Sequence, residues 1–244
     1  MIRETAYTTV SNPNTQPKRT LVYSFSETVK TALTYCLLVL IALFVLIPIV
    51  WIVGSSFNPA SSLLSATAFP KDPTIKHYLK LFTETKFPYW YLNTLKIALV
   101  NMVISVILTS TSAYVFSRFN FKGKKVGLLS ILILQMFPSF MGMMAVYNIL
   151  WQLGLLDTHF GLILTYAAGQ IPYNTWLVKG YLSGIPRSLD EAAKIEGASH
   201  LYIFRTIILP LIKPIITFVA LSQFMAPWMD FIFARVILGE ANTE

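Results

Sequence analysis

A chain of 244 residues that is 55% hydrophobic, has a mean hydropathy of +0.61 and carries only 12% charged residues cannot cover a soluble globule with polar surface. Its apolar residues gather into long uncharged runs, each near the ~20 residues that carry a helix across a bilayer, so lipid is the expected solvent. The net charge of +8 comes mostly from the N-terminal tail and two short loops, which speaks against nucleic acid as a partner and fits the cytoplasmic bias of basic loops.

Residues 1–30 are polar, with Ser11-Asn12-Pro13-Asn14 and Gln16-Pro17-Lys18-Arg19, and read as a cytoplasmic tail. Thr31 to about Gly54 is free of charge, with Trp51 as an interfacial anchor, and is the first expected span. It starts too far into the chain and runs too long for a cleavable leader. Cys36 within it is the single cysteine, so no disulfide framework exists. Residues 55–94 are mixed and too polar to span. Their Phe87-Pro88-Tyr89-Trp90-Tyr91 cluster suits the headgroup level, although Lys71, Lys76, Lys80 and Lys86 run mildly against an external location.

The second expected span, about Leu95 to Ser117, closes on Arg118 and the basic loop through Lys122, Lys124 and Lys125. A third covers about Val126 to Trp151 and a fourth about Gly161 to Leu177. A polar stretch, 180–206, with Arg187, Lys194 and Arg205 follows Lys179, and a fifth run, about Ile207 to Phe233, carries Pro210, Lys213 and Pro214 near its start. The tail, the 118–125 loop and the 179–206 loop hold most of the basic residues, which places the N-terminus inside and, after five spans, the C-terminus outside. His77, His159 and His200 lie in separate segments without ligand spacing, so no metal site is expected.

The informative stretch runs from Ile185 to Pro210. Ser188 with Glu191 three residues on has the form of a capping box, and Asp190 and Glu191 suit the positive end of a helix. Gly197 permits a left-handed turn, Ser199 can cap a second short helix, and Pro210 suits the passage from loop into span. Two short helices joined at a glycine are therefore expected between two spans. Glu191-Ala192-Ala193, then Gly197, then Ile207, Leu209 and Pro210 match E-A-A, three residues, G, nine residues, I-x-L-P without a departure. In this the chain resembles the permease subunits of ABC importers, which carry that string on their main cytoplasmic loop.

The resemblance implies an all-α, polytopic transmembrane bundle of the type I ABC importer permease kind. It implies that these seven residues form an ATPase-coupling element, with small Ala192 and Ala193 allowing close approach and the Glu191 carboxylate shared between its capping role and a cation on the ATPase. The segments Gln170–Tyr181, Phe224–Phe233, Ser55–Pro59 and Leu134–Pro138 are similar to the shorter maltose/maltodextrin permease of Gram-positive bacteria. The expected function is thus maltodextrin import across the plasma membrane. Implied partners are a second permease subunit, an ATPase dimer that alone binds ATP and Mg, and an extracellular sugar-binding protein. No cofactor is expected on this chain.

The corresponding division is a tail over 1–30, a first span and external segment over 31–94, and the permease domain over 95–244 with its coupling loop at 180–210. Among polar residues in or beside the spans, most are expected to bond helix to helix, and Gln135, Tyr147 and Asn148 are candidates for the sugar path. A sixth span is expected beyond Glu244, because no apolar run of about 20 residues remains after Leu238. A secondary carrier is disfavoured by the charge-free runs 31–54, 97–117 and 126–156. His-Glu-x-x-His and Gly-x-Ser-x-Gly are both absent, which disfavours a membrane enzyme. A channel would need a selectivity-filter-like segment, and none is evident.

Overall fold

A computed structural model describes residues 25–59, 70–136 and 139–239. Most of the expected tail and the chain end after Gly239 lie outside the described residues. Every regular element among the described residues is helical. The chain forms two units, Met1–Leu79 and Lys80–Glu244.

In the first unit, α1 (Phe25–Ser56) is 32 residues long, about 48 Å at 1.5 Å per residue, and outreaches the ~30 Å hydrocarbon core. Leu37, Leu40, Phe44 and Ile47 stand exposed along it, as lipid-facing residues do. The chain after α1 folds back on its end. Ser56 Oγ lies 2.6 Å from the Tyr78 hydroxyl, and Phe57 packs on the same ring at 5.6 Å between centroids. A short amphipathic helix, α2 (Lys76–Thr83), carries Tyr78 and continues across the unit boundary.

The second unit is organised around α3 (Phe87–Arg118). It starts at Phe87 rather than near Leu95 because Pro88 sits in the first turn, where a missing N–H breaks no helical bond. Its buried face is a stripe of small and polar residues, Ala98, Asn101, Ser105, Thr109 and Ala113, which lets neighbouring helices approach closely. Against it pack α6 (His159–Ser183) and α10 (Lys213–Met229). Asn101 Nδ2 donates to the Gln223 carbonyl at 2.8 Å and bonds α3 to α10 as expected, while Ser105 Oγ donates to Asn101 Oδ1 at 3.4 Å within α3 and holds that amide in place.

The expected third span is two helices, α4 (Lys124–Gln135) and α5 (Ser139–Gln152). Pro138 stands between them in sequence; a proline disfavours helical geometry in the residue before it and cannot donate to the preceding turn. Trp176 Nε1 donates to the Leu128 carbonyl at 2.8 Å and pins α4 to α6. α6 has 25 residues, enough for a span, and turns its polar Asn174 and Thr175 inward.

The expected fifth run is also interrupted. α8 (His200–Tyr202), a π-helical turn over Ile203–Ile208 and α9 (Leu209–Leu211) lead into α10 through a bend of 80°. Pro210 and Pro214, one turn apart, each lack the N–H that would continue the backbone ladder, and they flank the bend at Ile212. A last helix, α11 (Ile232–Leu238), begins on Asp230, whose carboxylate accepts from the Phe233 and Ala234 N–H groups at 3.3 and 3.2 Å. By length and apolarity α1 and α3 each suffice to cross a membrane, as does the bent pair if it counts as one span.

Two apolar clusters mark the ends of the second unit. One joins Ile97, Leu150, Leu162, Ile163, Ile237 and Leu238. The other joins Ala113, Tyr114, Val178, Leu182, Ile203, Ile208, Ile212 and Val219, beneath the loop that holds the signature string.

Candidate functional site

The signature loop opens with α7 (Ser188–Ile195). The expected capping box does not form. The helix starts one residue earlier at Arg187, without a side-chain cap, and the Arg187 carbonyl accepts from the Asp190 and Glu191 N–H groups at 3.0 and 3.1 Å. The reason is that Asp190 and Arg187 are engaged elsewhere, in contacts that set the start of the helix. Arg118, at the end of α3, forms an ion pair with Asp190 at 2.6 Å, with both side chains only 7% and 8% exposed. Arg118 Nη2 also donates to the Ile185 carbonyl at 3.1 Å, and Arg187 Nη2 donates to the Ser117 carbonyl at 2.8 Å. Two arginines thus bind the end of α3 and the start of α7 reciprocally.

After α7 the chain turns at Gly197, whose φ of +84° is the left-handed geometry expected there. Its N–H donates to the Lys194 carbonyl at 3.0 Å, and the Ala198 N–H reaches the Ala193 carbonyl at 2.9 Å. Ser199 then caps α8, its hydroxyl accepting from the Tyr202 N–H at 3.3 Å, also as expected. Tyr114 supports the turn from below: its hydroxyl donates to the His200 carbonyl at 3.4 Å, and its ring packs on Phe204 and Phe119. Phe119 in turn packs on the His200 ring at 4.8 Å.

The seven signature residues divide by the side they face. Ala193, Ile207 and Leu209 pack against the cluster beneath the loop. Gly197 makes the turn, and Pro210 lies in the first turn of α9, two residues before the bend at Ile212. Glu191 and Ala192 are exposed, and the Glu191 carboxylate has no hydrogen bond or ion pair among the described residues. Ile195 is 88% exposed on the same short helix, three positions beyond Ala192 and therefore near it on one face. An apolar residue so open on a charged loop marks a contact surface.

Arg118, Asp190, Arg187, Tyr114 and Ile195 were not singled out by the signature. Arg118 reads in sequence as one more loop cation, and nothing local announces a partner 72 positions away. The sequence did hold one signal for Ile195, as the apolar residue that precedes Glu196-Gly197 on a short helix with charged neighbours.

The candidate path residues are not joined to one another by any bond among the described residues. Gln135 Nε2 donates to the Gly169 carbonyl at 2.9 Å and ties α4 to α6. Tyr147 is half-buried and Asn148 exposed on α5, where adjacent positions point about 100° apart.

The geometry is that of a short helix held rigidly at the end of a long helix, with one face left open. Residues 103–242 match the family model described as the binding-protein-dependent transport system inner membrane component. The chain is 43% identical over 213 residues to the galactooligosaccharides transport system permease protein GanQ of Bacillus subtilis, covering 86% of this chain and 75% of that one. It is 40% identical over 205 residues to the maltodextrin transport system permease protein MdxG of the same organism, covering 84% and 74%. Among solved structures it resembles a bacterial ABC transporter involved in the import of the acidic polysaccharide alginate, with a TM-score of 0.76, 27% identity and coverage of 91% of this chain and 79% of that one. The chain belongs to the binding-protein-dependent transport system inner membrane components, the type I permease subunits of ABC importers, and is a transporter subunit rather than an enzyme.

Proposed function

We propose that this chain is a permease subunit of an ATP-driven sugar importer, that its substrates are maltodextrins, and that the 188–210 loop couples it to the ATPase. The observation that carries the coupling role is the rigid seating of α7 on α3 by Arg118–Asp190 and Arg187–Ser117, with Glu191, Ala192 and Ile195 left open. A push on that face is transmitted to the spans because the loop cannot yield separately. The partners are a second permease subunit, an ATPase dimer that binds ATP and Mg, and an extracellular sugar-binding protein. Alternating access then rocks this subunit against its companion.

The sugar class is supported by relatives named for maltodextrin and for galactooligosaccharide transport. The second reading, galactooligosaccharide import, has its own support in the 43% identity to GanQ. Uptake of a labelled maltodextrin and a labelled galactooligosaccharide by cells carrying the chain with its native partners separates the two. Preference for the maltodextrin is expected. The reverse preference establishes the second reading, and uptake of neither removes the sugar class.

The topology follows from charge: the end bearing 118–125 and 179–206 is cytoplasmic, with the N-terminus on the same side. On a Cys36→Ala background, a cysteine at Lys125 should be shielded from an impermeant thiol reagent in intact cells, while one at exposed Leu153 should react. The opposite labelling pattern overturns the orientation.

A further inference from the structure

Beside the coupling loop, but apart from its open face, lies a cavity of about 380 Å³ where the ends of α3 and α6 meet the start of α4. Its lining includes Arg118, Lys124, Lys179, Arg187, Ser183 and Gly184. Arg118 is neutralised by Asp190, but the other three cations have no carboxylate partner among the described residues. Each is nonetheless held in place. Lys124 Nζ donates to the Phe119 carbonyl at 2.9 Å, Arg187 is fixed on Ser117, and Lys179 lies over the Trp176 ring at 5.5 Å. Burial, and then the charges of Arg187 and Lys179, lower the Lys124 pKa from its ordinary value.

Three ordered cations at one opening focus a positive field that attracts an anion. The place of the cavity identifies the source. It sits at the ends of membrane helices, with Phe121 and Val126 exposed close by in sequence, Val126 at 67%, so acyl chains have apolar surface to follow. We propose that this cavity binds the phosphate headgroup of an anionic phospholipid, with Lys124, Lys179 and Arg187 as its ligands and Ser183 as a hydroxyl donor. The inference is independent of which sugar is carried and rests only on this end of the bundle meeting the membrane surface. A lipid held there touches the same Arg187 that seats α7, so anionic lipid content would bear on coupling.

Native mass spectrometry on the intact importer, purified in phosphatidylcholine with added phosphatidylglycerol, tests this. The unaltered complex should retain one phosphatidylglycerol per copy of this chain. Each cation near a charged surface contributes about 1 kcal/mol, or roughly fivefold, so Lys124→Gln with Lys179→Gln should weaken retention about thirtyfold. Lys124→Arg with Lys179→Arg should keep it, which separates lost charge from lost fold. Lys122→Gln with Lys125→Gln, which removes the same charge outside the cavity, should weaken it much less. Equal retention by the two glutamine pairs overturns the site. Displacement of the lipid by millimolar inorganic phosphate shows a general anion site and overturns the lipid assignment. Absence of retained lipid in the unaltered complex does the same.

Discussion

Valine at Gly197 is expected to cut ATP-driven uptake at least about tenfold while leaving the chain inserted in the membrane. The effect is conformational and local. Gly197 holds φ at +84°, and a Cβ added there meets no heavy atom within 4 Å, so the substitution causes no collision. What it does is force a β-branched residue into the left-handed region, at a cost of about 1–3 kcal/mol, and 1.4 kcal/mol is a factor of ten. The turn relaxes to negative φ, and α7 is re-aimed relative to α8 and the π-helical turn. Asparagine, which tolerates the left-handed region, should retain most of the uptake, and alanine should fall between. Uptake is measured alongside stimulated ATP hydrolysis. Unchanged uptake in the valine variant rules out the turn as a coupling element, and equal loss in the asparagine variant rules out its conformation as the cause.

The second large effect is expected at the Arg118–Asp190 pair. Both side chains are almost fully buried, so removing either one leaves an uncompensated charge beneath the loop. Such a loss typically costs about 3–5 kcal/mol, far beyond the ~0–1 kcal/mol of an exposed pair. Asp190→Ala should therefore free the loop, seen as rapid proteolytic cleavage between Ile185 and Ile212 and loss of uptake, with the helices still inserted. Arg118→Ala should do the same and also free the Ile185 carbonyl. The double substitution should be much less harmful than the sum of the two singles, because no lone charge is left. Additive behaviour would mean that the two residues act separately. The exposed Lys80–Glu84 pair serves as the contrast, since breaking it should change stability by less than about 1 kcal/mol.

What could be read from sequence depended on the range of the interaction involved. Runs of apolar residues, the turn at Gly197 and the cap at Ser199 are local matters, and each appears where the residue types require it. The signature string likewise led to the family. The interruptions were less legible. Pro138, Pro210 and Pro214 stand inside apolar runs, yet hydropathy averages over such residues and suggests two continuous spans where the described residues form separate helices. The capping box failed for a different reason. Ser188 and Glu191 have the right spacing, but helix α7 starts where Arg187 and Asp190 are held by α3, and tertiary contacts outweighed a cap worth about 1 kcal/mol. No pattern within 185–210 reveals that Asp190 pairs with a residue 72 positions earlier. The basic cavity was equally hidden, since its cations come from three helices and a loop and read in sequence only as cytoplasmic charge.

The proposed coupling requires that the open face of α7 meet the ATPase. Cysteines placed singly at Ala192 and Ile195, on the Cys36→Ala background, can be cross-linked in the assembled importer to cysteines placed across the membrane-facing surface of the ATPase subunit. A cross-linked product is expected from both positions, with a yield that changes when ATP is trapped on the complex. Arg205→Cys, exposed on the π-helical turn outside that face, should give much less. Absence of product from both Ala192 and Ile195 in a complex that transports normally rules out α7 as the contact with the ATPase.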